Sequence, residues 1–228
     1  MKTTENIKTL IQDKNVSEDT ELDNFARHEF TRVYAVERTF TRVSFEQSNF
    51  NACYFRKCRF IECDFTGAVF RDTNLTGSQF SNCKFRYSYW DKTIVDEKIL
   101  CCLPAEENLA RDLVRNLRVN FAQIGHQEAV NKAAKIEVEL TGKHLRNAVS
   151  SNQGYYRQKY KGWDRAQKLV ELANWVIWES VWGNGESIYK VVACAVTIPL
   201  ISGGLFSWVF YPDRKLPDNI ASAFFIFW

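Results

Sequence analysis

The chain lacks a dominant charge: 30 Lys and Arg stand against 27 Asp and Glu, for a formal net of +3. A basic nucleic-acid binder carries a much larger positive excess, so no nucleic-acid partner is expected. A secretory leader is also missing from the opening residues. Positions 1–24 hold neither an apolar core nor a small-residue cleavage site, which points to a reducing cytosol for the seven cysteines. The Asn-x-Ser/Thr triplets at Asn15 and Asn74 then read as chance matches. Apolar residues are not short. At 46% apolar and 25% charged, the composition is that of a chain with a core and excludes intrinsic disorder. A length of 228 residues allows one or two domains. The mean hydropathy of −0.32 describes a soluble protein on average, but it conceals one long apolar segment.

What the sequence has in excess is phenylalanine, seventeen in all. From Phe25 an aromatic recurs every five residues: Phe25, Phe30, Phe40, Phe45, Phe50, Phe55, Phe60, Phe65, Phe70, Phe80, Phe85 and Trp90. Ala35 and Leu75 occupy the two gaps in register. Two positions before each centre the side chain is small: Val33, Val43, Ser48, Cys53, Cys58, Cys63, Ala68, Thr73, Ser78, Cys83 and Ser88. A helix repeats near 3.6 residues and a strand at 2, so a period of five is neither. A step of two keeps both residues on one face of a short extended segment. The following step of three turns a corner. Repeated, this gives stacked coils ~4.8 Å apart around an aromatic interior.

The pattern resembles the pentapeptide-repeat family, which implies a right-handed quadrilateral β-helix with about twenty residues per coil. His28 and Arg38 depart from the small position and Ala35 from the aromatic one, so an irregular first coil is expected. Cys53, Cys58 and Cys63 imitate a metal-ligand series. Their spacing equals the repeat, and zinc ligands pair at shorter intervals, so packing is the reading for these three and for Cys83. Cys63 and Cys83 lie one coil apart, where they can stack.

Beyond Trp90 the period becomes helical. Pro104 at a first helical position, with Glu106 and Glu107 in the first turn, starts a helix along Leu109, Leu113, Leu117, Phe121 and Ile124 to Gly125. A second helix follows through Ala129, Ala133, Ile136 and Leu140 and breaks at Gly142. His126 and His144 read as solvated or capping residues. Residues 155–182 combine four Trp with Arg157, Lys159, Lys161, Arg165 and Lys168. Their stripe of Trp163, Ala166, Leu169, Val170, Ala173, Val176, Ile177 and Val181 predicts an interfacial amphipathic helix.

Residues 191–211 are twenty-one positions without a charge, ~31 Å as a helix, which predicts a membrane span. Cys194 is then a residue of the span. The basic residues of 157–168 orient its N-terminal side to the cytoplasm. The final IASAFFIFW reads as a re-entrant helix capped by Asp218 or Asn219, with the sequence stopping inside an apolar element. Pentapeptide repeats, the PAEEN…RNLR linker, the WGNGES turn and this span together resemble prokaryotic pentapeptide-repeat proteins that end in a two-helix potassium-channel module. The resemblance implies an outer helix over 187–211 and the start of a pore helix over 219–228, without the filter or inner helix.

The expected organisation is an N-terminal cap over 1–24, a β-helix over 25–90, a helical linker over 91–186 and a membrane region over 187–228. The expected function is a membrane ion-channel subunit, tetrameric by that resemblance, with a cytoplasmic solenoid. The alternative is a membrane-anchored interaction module whose solenoid binds an unidentified protein partner and which transports nothing. DNA mimicry requires an acidic surface, and residues 25–90 carry ten Lys/Arg against six Asp/Glu. No catalytic, cofactor-binding or metal-binding residue is predicted. Gly183 and Gly185 follow a helix and no strand, so they mark a break instead of a phosphate loop. An enzyme is not expected.

Overall fold

The computed structural model of the chain describes residues 9–182 and 188–210. It divides into two compact units, Met1–His144 and Leu145–Trp228.

The first unit opens with a parallel β-solenoid whose period comes directly from the repeat. On one face β1 (Thr9–Gln12), β4 (His28–Thr31), β7 (Asn49–Asn51), β10 (Val69–Arg71) and β12 (Tyr89–Asp91) pair in that order. A second face carries β2 (Asn15–Val16), β5 (Tyr34–Val36) and β8 (Tyr54–Arg56), and a third carries β3 (Thr20–Glu21), β6 (Thr39–Thr41), β9 (Arg59–Ile61) and β11 (Gln79–Ser81). The fourth is held by single bridges from Asn24 through Ser44 and Asp64 to Lys84. Phe30 registers with Phe50, Phe50 with Phe70 and Phe70 with Trp90, so equivalent centres stand one above another. Their rings stack, Phe30 on Phe50 at 4.8 Å and 4°, Phe70 on Trp90 at 4.1 Å and 17°. Neighbouring faces meet edge to face, as Phe60 meets Phe65 at 5.5 Å and 74°. Both geometries suit the ring quadrupole. The centres from Phe30 to Trp90 are buried apart from half-buried Phe80.

Each corner is made by one left-handed residue. Every fifth position from Arg27 to Lys92 has positive φ, and only Gly67 and Gly77 among them are glycine. Side chains in that region cost roughly 1–2 kcal/mol each. The corner amides are bonded to the next coil, Arg32 to the Asn51 carbonyl and Ala52 to that of Arg71, both at 3.0 Å, which holds the conformation.

The coil carrying His28, Ala35 and Arg38, where irregularity is expected, keeps the twenty-residue register, with Phe30 on Phe50 and Ala35 on Phe55; the irregular coil is the one before it. Ile11 registers with Phe30 and Val16 with Ala35, nineteen positions apart, whereas Thr20 registers with Phe40, twenty apart. Strand pairing therefore begins at Thr9, ahead of the first phenylalanine.

At the other end, a 3-10 turn over Glu97–Cys101 leads to α1 (Glu107–Gln123) and α2 (Gln127–Ser150). Helix α1 begins after Glu106, so Pro104 lies outside it and not at its first position. Helix α2 does not break at Gly142. One internal glycine costs about 1 kcal/mol relative to alanine, and the flanking turns are fastened by Glu137 to Arg115 and Arg118 and by Lys143 to Glu107. His126 caps α2, its Nδ1 accepting from the Ala129 amide at 3.2 Å. His144 is buried and is neither solvated nor a cap.

The second unit contains α3 (Gly154–Lys159), α4 (Trp163–Trp182) and α5 (Ile188–Phe210). Lys190 bonds the Glu179 carboxylate at 2.8 Å, joining α4 to α5. The membrane span expected over 191–211 is not found: among the described residues no helix is long and apolar enough to cross a membrane. The WGNGES glycines and the pore-helix segment 219–228 lie outside the described residues.

Candidate functional site

The small position two before each centre does more than save space. Ser48 Oγ donates to the Phe25 carbonyl at 2.6 Å, Cys53 Sγ to Phe30 at 3.3 Å, Cys63 Sγ to Phe40 at 3.3 Å and Ser78 Oγ to Phe55 at 2.7 Å. Thr73 and Cys83 do the same to Phe50 and Phe60. At these positions a compact donor reaches the carbonyl twenty-three residues earlier, whereas Val33, Val43 and Ala68 fill the same position by size alone. Size alone, the criterion legible in sequence, misses that bond. It also explains why Cys, Ser and Thr interchange there.

Cys53, Cys58 and Cys63 are buried, Cys83 is half-buried, and all are free thiols. Burial pushes the Cys53 thiol up to about 11 and raises Cys58. A hydrogen bond shared with Cys63, together with burial, raises Cys83. Thiols so raised stay protonated at neutral pH and are poor nucleophiles and ligands. Among the described residues no group of three or more His, Cys, Asp or Glu is placed to hold a metal ion.

The solenoid's outer surface offers two constructed features. On the β2–β5–β8 face Tyr34 and Tyr54 project outward from consecutive coils, their rings parallel at 5.1 Å and 1°. Tyr34 is 46% exposed and Tyr54 half-buried; Asn74 follows in register and then Ile94, 46% exposed and three coils from Tyr34. This face thus presents a tyrosine pair, then Asn74 and Ile94. The sequence signal was present, as tyrosines twenty positions apart immediately before their centres, but the periodic phenylalanines mask it.

The second feature closes the C-terminal end. Helix α1 lays Asn116, Asn120 and Gln123 across the last coil. Asn116 Oδ1 accepts from the Trp90 amide at 2.7 Å and its Nδ2 donates to the Trp90 carbonyl at 3.0 Å. Asn120, fully buried, does both for Thr93 at 2.8 Å, and Gln123 accepts from the Lys92 amide at 3.1 Å. Three side-chain amides thereby replace the strand that a further coil would supply. Leu113, Val114, Leu117 and Phe121 are buried within the same core.

Residues 29–97 match the family described as pentapeptide repeat region. This segment is a pentapeptide-repeat solenoid. Among solved structures, the chain aligns with QnrB1, a plasmid-mediated fluoroquinolone resistance protein, at 14% identity and a TM-score of 0.18. The alignment covers 36% of this chain and 56% of that one, and a likeness at that score carries no argument. No curated protein matches.

Proposed function

We propose that the pentapeptide-repeat solenoid is a protein-interaction module, docking a partner on the β2–β5–β8 face, and that α4 and α5 hold it at a cytoplasmic lipid surface. The observation that carries the docking role is the parallel Tyr34–Tyr54 stack, with Tyr34 exposed and Tyr54 half-buried, on the β2–β5–β8 sheet. Tyrosine gives large contact area at small entropic cost and is enriched at interfaces. The anchoring role rests on α4 and α5, where Trp163, Leu169, Val170, Ile177, Val192 and Ile201 are each more than half exposed. Arg157, Lys159, Lys161, Arg165 and Lys168 precede or share α4. Apolar surface beside lysine and arginine suits a helix lying in the headgroup region of an anionic leaflet. The ion-channel reading implied by the sequence resemblance draws no support from the described helices, and its pore segment lies outside them.

A photo-crosslinking residue at Tyr54 in the full chain should give one discrete adduct in cells, lost on Tyr34→Ser. The same residue at Thr39, on the β6 face, should give none. Adducts of equal yield from both positions would sink the docking role. The full chain should float with vesicles containing phosphatidylserine, and Ile177→Lys with Val192→Lys should abolish flotation. Unchanged flotation would sink the anchoring role.

A further inference from the structure

The N-terminal end of the solenoid is built unlike the rest of it. Phenylalanine centres fill the interior of the later coils, but the first coil puts Ile11, Val16 and Thr20 over Phe30, Ala35 and Phe40. In the second coil Ala35 replaces an aromatic and registers with Phe55. Phe55 consequently has no ring stacked in register on its N-terminal side, only the edge contact with Phe40 at 6.2 Å, whereas Phe50 and Phe60 are each stacked there, by Phe30 and Phe40. At the mouth of this end lies an open cavity of about 550 Å³, with Phe55 among its lining residues. Its inner wall is apolar and aromatic, with Ile11, Val16, Phe25, Phe30, Phe40 and Phe55.

The rim has the opposite character. Glu18, Asp19, Glu21 and Asp23 line it against one cation, Lys14, although residues 25–90 carry more Lys and Arg than Asp and Glu. Glu21 is neutralised by Arg42 and Asp19 accepts from the Thr39 amide. No ion pair among the described residues engages Glu18 or Asp23, and both are exposed. Cavities of this size that combine an apolar wall with a few charged groups at the mouth are the ordinary form of small-molecule sites. An acidic rim over aromatic faces selects a cation with an apolar body, since carboxylates and ring quadrupoles both attract positive charge.

From this geometry we infer that the open end of the solenoid is a binding site for a hydrophobic organic cation, an ammonium group carrying an aryl or alkyl body. The body enters the cavity and meets Phe55, and the ammonium remains at the rim beside Glu18 and Asp23. The site is distinct from the β2–β5–β8 face and does not depend on a partner docking there.

Benzyltrimethylammonium is the probe, titrated calorimetrically into the full chain beside benzyl alcohol and benzenesulfonate. The cation should bind one to one, roughly tenfold tighter than the alcohol, with the sulfonate weakest. Glu18→Gln with Asp23→Asn should remove most of that preference and leave the circular dichroism spectrum unchanged. Ala35→Phe, which restores the missing ring, should abolish binding while holding or raising Tm. Equal binding of cation and sulfonate would overturn the inference, as would cation binding that survives Ala35→Phe in a folded protein. It would also fail if the probe bound only after removal of residues 1–8, because the occupant would then be the chain's own N-terminal segment.

Discussion

The two ends of the solenoid solve the same problem differently. Any stack of coils terminates in a layer of backbone groups with no neighbour and a core cross-section with nothing above it. At the C-terminal end α1 meets both needs, with Asn116, Asn120 and Gln123 bonding the last coil and Leu117 and Phe121 completing its core. At the N-terminal end the coil is one residue short on two faces, and an open cavity lies at its mouth. The contrast separates two ways of ending a repeat protein. One is sealed by a helix of different secondary structure, and the other is covered by no helix among the described residues and is depleted of rings.

Four variants would break or sharpen that contrast. Removing a ring from the middle sets the reference: Phe60→Ala should lower the free energy of unfolding by about 3–5 kcal/mol, read from urea denaturation. Ring loss there opposes stacks on both sides, with Phe40 and with Phe80, so a loss below 1 kcal/mol would refute close packing. At the sealed end Asn120→Ala should cost about 2–4 kcal/mol, because the Thr93 amide and carbonyl are left buried without partners. Hydrogen exchange should show early opening of β12 in this variant. A neutral result would mean that the helix contributes burial alone.

At the open end the effect should be smaller. Phe25 is half-buried and stacks only on Phe45, at 5.8 Å, so Phe25→Ala should cost about 1–2 kcal/mol. A loss equal to that of Phe60→Ala would remove the distinction between an open end and a packed middle. The smallest effect concerns pH. Burial alone would raise the Asp64 carboxyl, but hydrogen bonds from Thr66 and the Lys84 ammonium at 3.0 Å bring it below its usual value. A depressed folded pKa gives stability that is present above the unfolded value of about 4 and fades as pH falls through the folded one. Asp64→Asn should therefore flatten the fall in unfolding free energy below pH 4, read from urea denaturation, by less than about 1 kcal/mol, since Lys84 is exposed. An unchanged acid limb would show that this inter-coil tie contributes nothing.

The ring positions were legible in sequence because each serves one simple demand, a large apolar group at a fixed interval. Positions that answer two demands were harder to read. Cys53 and Cys63 are small and also donors, and only the coil-to-coil distance reveals the carbonyl they reach. Ala35 read as a departure from the repeat, and its consequence at Phe55 emerges only from register. Asn116, Asn120 and Gln123 look like ordinary helix-surface polar residues, since the strand edge they satisfy belongs to a different element. Gly142 and His144 were misjudged for a related reason: propensity and polarity are local, and tertiary contacts outweighed both.

The left-handed corner at every fifth residue also constrains how this gene can lengthen. Adding one pentapeptide to the array would rotate everything downstream by a quarter turn. Trp90 and Thr93 would then leave the faces on which α1 lands, and the helix would be presented with a different wall. Adding a whole coil of about twenty residues preserves the angular phase and only lifts the cap by ~4.8 Å. Growth of this array is therefore quantised in complete circuits, and a length variant out of step by five should be purged unless α1 changes with it.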